Sequence, residues 1–333
     1  MRTVVALLVA ACVAVVAALP LGAGGLRPFS AALALILGGM AGLWAWWKLR
    51  SLPPAPPVRG WMPWVVVVVF ALFALRAFGW LVFQRDNTIA FLSPNNLGDL
   101  SLHLTFIHYF ANGAPFWPES PIFARSPLHY PFGVDLLNAL LVLAGVDTIR
   151  GLIWVGLLGA LATGVMLWRW GGAFTMAGFL FNGGAIGLMA FLTHGQLADF
   201  QEEVAWKSIP LALFVTQRGL LYALPAGLAL LWSWRERFLR RQPGLPFAIE
   251  WLLYATMPLF HLHTFLFLSV MLGAWGASAI VRRKPEELRP LVTLVAAAFF
   301  PATALVFMLT GGAAKGIHWL PGWMQDPERP WVY

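Results

Sequence analysis

Residues 150–194 form one nearly unbroken apolar run. As a single helix it would be about 67 Å long at 1.5 Å per residue, more than twice the roughly 30 Å of hydrocarbon in a bilayer. It therefore has to be two membrane spans, and Gly171-Gly172, just after Arg169, is the natural break. The same reasoning folds residues 247–281 back on themselves, because about 52 Å of helix must turn around Pro258 and His261-Leu262-His263. Runs at 4–23, 29–47, 61–83, 216–234 and 290–310 each have the length of one span, which makes nine in all. Composition agrees: 60% of residues are hydrophobic and 11% charged, where soluble domains carry about a quarter charged residues. The abundant Trp and Phe suit aromatic belts at two interfaces. The expected fold is an all-α polytopic membrane protein of about nine transmembrane helices, with a large extracytoplasmic loop carrying interfacial helices.

Basic residues give the orientation. With the N-terminus inside, thirteen Lys and Arg fall in cytoplasmic segments, chiefly Lys48–Arg59, Arg235–Arg241 and Arg282–Arg289, and eight fall outside, with Arg76 inside a span. Residues 133–147 decide the parity. They are apolar but only about 22 Å long as a helix and contain Asp135 and Asn138. Counted as a span, they would put Arg235–Arg241 outside; we read them as a helix lying in the outer interface or re-entering from it. The expected organisation is three N-terminal spans (1–83), an extracytoplasmic catalytic loop (84–149), a six-span bundle (150–310) and an extracytoplasmic tail (311–333), as in a short or truncated version of a longer architecture. Met1-Arg2-Thr3 and the apolar stretch behind it read as an uncleaved first span, since that stretch exceeds the 7–15 residues of a typical signal. Ser51-Leu52-Pro53-Pro54-Ala55-Pro56-Pro57 is a stiff connector. The net charge of +8 is spread in short clusters between apolar spans, so it does not indicate nucleic-acid binding. The single Cys12 supports neither a disulfide framework nor a Cys-based metal site.

All seven histidines and six aspartates fall in or beside the segments placed outside. Asp99 and His103 are i and i+4 on an expected helix and share a face; a carboxylate beside an imidazole can act as a general base or bind metal. The plainer reading is a helix cap and a locally bonded histidine. His129 and Tyr130 either line a site or anchor the loop in the interface. In the second outer loop, Lys207 and Arg218 can meet phosphate, Arg with its bidentate fork; Glu202 and Glu203 also lie there. Arg218 opens an apolar span, so it either takes an anionic partner or snorkels to lipid headgroups. His261 and His263 interrupt an apolar hairpin and must be paired, wetted or functional.

The order of these features resembles the GT-C superfamily of integral-membrane glycosyltransferases, which includes protein O-mannosyltransferases and lipid A aminoarabinose transferases. The likeness rests on Gly98-Asp99 early in a helix of a large outer loop, the aromatic-proline segments ending Tyr130-Pro131-Phe132-Gly133, and the stretches Trp206-Lys207 to Gln217-Arg218-Gly219 and Pro258 to His261-Leu262-His263-Thr264. It covers roughly 84–270. It implies a multi-pass protein of the bacterial inner membrane whose extracytoplasmic site moves a sugar from a polyprenyl-phosphate donor to a lipid, glycan or protein acceptor. Asp99, with His103, would be the catalytic base; Arg218 or Lys207 would bind the donor phosphate; His129, Tyr130, Glu202, His261 and His263 would line the substrate. Two departures stand out: three spans precede the loop where the family commonly has one, and the acidic pair of many members is missing, since Leu100 and Ser101 follow Asp99. No cofactor is required by this pattern, and a divalent metal is left open.

Two other classes compete. A transporter or flippase for a lipid-linked or polar solute needs polar residues near the bilayer midplane, where Arg76 is the main one. A metal enzyme built on Asp99, His103, His261 and His263 has suitable ligand types but no H-E-x-x-H or comparable spacing.

Overall fold

The structure, a computed structural model, describes residues 1–53, 60–86, 88–91, 97–123, 125–182, 192–193 and 208–312. Helices α1 (Arg2–Leu21) and α2 (Pro28–Lys48) form a close hairpin. Their seam is made of small residues: a β-carbon added at Gly38 of α2 would stand 2.5 Å from the Ala10 carbonyl oxygen, and one at Gly42 would stand 2.9 Å from the Ala10 methyl. Lipid tails are as apolar as leucine, so helices associate there through such close backbone packing.

Helix α3 (Met62–Ala74) runs into a π-helical turn over Leu75–Gly79. The chain leaves it as a hairpin of β1 (Val82–Arg85) and β2 (Thr88–Phe91), with Val82 opposite Phe91. Hydropathy carries the third span to residue 83 and expects no strand. The helix instead ends at Gly79, and the β-branched and aromatic residues that follow suit a pleated pair.

Helices α4 (Leu97–Ala111) and α5 (Gly133–Leu143) pack together and lead to α6 (Thr148–Leu180). Asp147 caps α6 by accepting a bond from the Arg150 amide at 3.0 Å. Within α6, Gly172 has φ 65° and ψ −149°, a conformation only glycine adopts readily, so the long run breaks where the sequence places the break. A π-helical turn (Ile209–Phe214) precedes α7 (Leu220–Phe238); α8 (Phe247–Ala255), α9 (Met257–Phe260), α10 (Leu262–Val281) and α11 (Pro285–Thr310) follow. The 247–281 run turns at His261, whose extended backbone separates α9 from α10. Tyr254 and Ser269, on opposite sides of that turn, join their hydroxyls at 2.8 Å.

Among the described residues six helices are long and apolar enough to cross a membrane: α1, α2, α3 with its π turn, α6, α10 and α11. The chain is a mostly helical, multi-pass membrane protein. The other three expected spans differ. Helix α7 carries Arg235, Glu236 and Arg237 at its end. Helices α8 and α9 together reach only about 21 Å. The remaining expected span runs past Leu180, largely into residues outside the described set.

Element ends sort into two layers. In one, Arg2 donates to the Trp46 carbonyl at 2.6 Å, Arg169 to Pro53 at 3.0 Å and Arg235 to Trp170 at 2.7 Å. There too Arg237 pairs with Glu250 at 2.9 Å, and Glu287 takes Arg241 and Arg282. In the other, Gly25 meets Gly113, His129 meets Gly311, and His261 bonds Gln217. Helix α5 starts against Leu259 and Phe260 and ends beside Gly24–Pro28 and Asn112, all in this second layer. It buries Val134, Asp135, Leu136, Asn138 and Leu140, as a helix that enters the bundle and stays at one end of it.

Candidate functional site

The strongest polar feature joins α4 to α5. His103 Nδ1 lies 2.9 and 3.0 Å from the two carboxylate oxygens of Asp135, and both side chains are almost fully buried. An ionised carboxylate only accepts hydrogen bonds, so Nδ1 carries the proton and donates. The lone pair of the neutral ring is then on Nε2, which is buried and has no partner among the described residues. A carboxylate that fixes the tautomer of an imidazole and leaves its other nitrogen free is the arrangement that makes histidine a directed base.

Arg218 supplies the cation. It is fully buried, so it does not snorkel. One guanidinium nitrogen donates to the Leu152 carbonyl at 2.9 Å, while Nε and Nη1 have no partner among the described residues. Asp135 is the charge that acts on it, although the two do not form a direct ion pair. Asn138, one turn on from Asp135, donates to the Val134 carbonyl at 2.9 Å, and its own buried Oδ1, beside Gly151, has no partner among the described residues. Buried polar atoms are ordinarily satisfied, and a handful left open in one region calls for an explanation.

Tyr130 and Asp99 close the outside. The Tyr130 ring packs edge-on to His103 at 6.1 Å between centroids and against Phe106 at 5.1 Å. Burial, then the charges of Asp135 and Asp99, hold its phenol well above the usual range, so it remains a hydrogen-bond donor. Asp99 is exposed in the first turn of α4. The expected Asp99–His103 pairing therefore gives way to His103–Asp135, 32 residues apart in sequence.

Comparison with family models, curated proteins and solved structures returns no match.

The other anticipated residues divide. His261 caps α10: its Nδ1 accepts from the Thr264 amide at 3.2 Å and lies 2.8 Å from the Thr264 hydroxyl, and Nε2 donates to Gln217 Oε1 at 3.2 Å. Burial first, and the neighbouring His263 second, lower its pKa to about 4, as a neutral structural ring requires. His263 is exposed, its ring 5.5 Å from that of His261. His129 is exposed and abuts Gly311. Lys207 and Glu202 lie outside the described residues. Arg76 sits exposed on the π turn, with no hydrogen bond or ion pair among the described residues. Among the described residues no three His, Cys, Asp or Glu side chains converge as a metal site.

Asp135 is the residue that spacing alone does not single out. Its signal is positional: an ionisable group in an otherwise apolar segment at membrane depth is a functional candidate by default.

Proposed function

We propose that the chain is a membrane glycosyltransferase that moves a sugar from a polyprenyl-phosphate donor to a hydroxyl acceptor, with His103 as base and Arg218 as phosphate ligand. The observation that carries this reading is the buried His103–Asp135 pair, whose Nε2 has no partner among the described residues, together with Arg218, two of whose nitrogens have none there either. Base and cation are the two groups such a transfer needs. The acceptor hydroxyl gives its proton to His103 Nε2 as its oxygen bonds the anomeric carbon. The bond from that carbon to the donor phosphate oxygen breaks, and Arg218 stabilises the phosphate that leaves with the electron pair. Asp135 remains ionised and stabilises the imidazolium. Asp99, on the rim, contacts the acceptor rather than acting as the base that the GT-C resemblance implies.

An apolar cavity of about 320 Å³ supports the lipid half of the reading. It lies between α1, α2, α5, α6 and α7, and its lining includes Val134, adjacent to Asp135, and Tyr222, one turn beyond Arg218. Exposed Leu7 and Leu158 border it, so a polyprenyl chain could enter from the side. In this reading the nine spans, an inside N-terminus and an extracytoplasmic site in a bacterial inner membrane hold together. The transporter alternative rests mainly on Arg76, which is exposed.

The test is release of polyprenyl phosphate from a panel of radiolabelled polyprenyl-phosphate hexoses by the purified chain in nanodiscs. His103→Ala and Arg218→Gln should each reduce release at least 100-fold, in line with loss of a general base or a charge-stabilising donor. Asp99→Asn should act mainly on acceptor KM. Turnover unaffected by His103→Ala would remove the dyad from the chemistry.

A further inference from the structure

A second cavity lies at the opposite end of the bundle, in the layer rich in arginine. From Leu152, beside Arg218, to Arg169 the helix α6 runs about 25 Å, so the two regions are separate. This chamber has a volume of about 900 Å³, and Lys48, Arg169, Arg235 and Arg240 face it, with Glu236 as the one carboxylate among the described residues that line it. Glu236 accepts from Arg235 at 3.3 Å and from Arg240 at 3.1 Å, so its single charge is already divided. Cations exceed anions by three within one concave space. Tryptophans floor it: Arg235 stacks on Trp170 at 4.3 Å and Arg169 on Trp232 at 5.1 Å.

A third cavity, of about 530 Å³, runs along the side of the bundle between α3 and α6. Apart from Arg169 and the first residue, its lining is apolar, including Val67, Phe70, Ala71, Leu157 and Leu161. Trp168 and Arg169 line both this groove and the cationic chamber. A chamber lined by positive charge thus adjoins a groove lined by hydrocarbon, with Trp168 and Arg169 as their shared wall. A soluble anion would use only the first, and an uncharged lipid only the second.

We propose that the two cavities are one binding site for a phosphate-bearing anionic membrane lipid, its headgroup among Lys48, Arg235 and Arg240 and one chain along α3 and α6. Guanidinium groups match phosphate oxygens bidentately, and basic pockets between helix ends are a known form of headgroup recognition. This site is independent of the transfer chemistry proposed above, because it shares no residue with His103, Asp135 or Arg218.

Native mass spectrometry of the purified full chain tests this, with phosphatidylglycerol, phosphatidylcholine and soluble glycerol 3-phosphate titrated separately. Phosphatidylglycerol should saturate one site at a concentration at least about tenfold below phosphatidylcholine. Lys48→Gln combined with Arg240→Gln, both exposed side chains, should weaken it about tenfold or more. Ala71→Trp, which fills the groove from an exposed position, should weaken phosphatidylglycerol while leaving glycerol 3-phosphate unchanged. Equal binding of the two lipids overturns the proposal. So does phosphatidylglycerol binding that ignores Ala71→Trp while glycerol 3-phosphate competes fully, which marks a site for free phosphate compounds. Unchanged melting temperatures of the variants separate loss of the site from loss of the fold; if the double variant fails to fold, Ala71→Trp alone decides.

Discussion

Removing the Asp135 carboxylate should cost far more than a surface charge. Asp135→Ala leaves the His103 Nδ1–H without its acceptor and Arg218 without the one anionic field that acts on it among the described residues. Leaving a buried donor without its acceptor costs about 1–3 kcal/mol, and more where a charge is left behind, so the variant should melt well below wild type in detergent. Adding Arg218→Leu should return part of the loss, because the second change removes the stranded guanidinium; strict additivity of the two would show that they do not couple. His261 makes a different prediction, in pH. Its folded pKa of about 4 lies below the ordinary 6.5, so between those values the unfolded chain takes up a proton that the folded chain refuses. Stability is complete above 6.5 and falls as pH drops toward 4. His261→Asn keeps an acceptor for the Thr264 amide but cannot titrate. Its melting temperature should fall less than wild type between pH 7 and pH 5; parallel declines would place the acid sensitivity elsewhere. Of this site, Arg218 and His103 were legible from residue type and position, but their relation was not. A hydrogen bond between residues 103 and 135 leaves no periodicity in the chain, and the i, i+4 spacing points to Asp99 where the hydrogen bond goes to Asp135.

Helix-scale features were more legible, because hydropathy reports length directly. The break at Gly171-Gly172 and the turn at His261 followed from the limit on how much helix a bilayer holds. What hydropathy does not carry is where an apolar run stops being helical, so the third span, read to residue 83, takes in Val82 and Phe83 of β1. Nor does it show which glycines form seams. Gly38 and Gly39 are neighbours on α2 and look alike in sequence, yet a β-carbon at Gly38 meets the Ala10 carbonyl at 2.5 Å and one at Gly39 meets nothing within 4 Å. Gly38→Ala must push α1 and α2 apart and should destabilise by about 1–3 kcal/mol, the cost of overpacking. Gly39→Ala meets no such obstacle and should be neutral or stabilising by up to about 1 kcal/mol, through helix propensity. Thermal unfolding of the two single variants checks this, and an equal loss from both would remove the seam as a source of stability.

For the whole molecule, everything turns on whether α5 crosses. If it does, the segments before and after it lie on opposite sides of the membrane, and the Arg235–Arg241 cluster falls outside, against the Lys/Arg bias. The packing of both ends of α5 against one layer of turns argues against crossing. So does its length, about 16 Å for Gly133–Leu143, only half the hydrocarbon thickness. Cysteine labelling settles it in intact cells. Cys12 is fully buried and adds little background, so single cysteines can be placed at exposed Asn112, before α5, and exposed Ala144, after it. Both should react with a membrane-impermeant maleimide from outside, while Arg283→Cys, beyond α10, should react only after permeabilisation. Asn112→Cys and Ala144→Cys reacting from opposite sides would make α5 a span. Both reacting only after permeabilisation would keep α5 at one end of the bundle but put that end, with His103, Asp135 and Arg218, in the cytoplasm. A polyprenyl-phosphate sugar would then have to be used on the inner face.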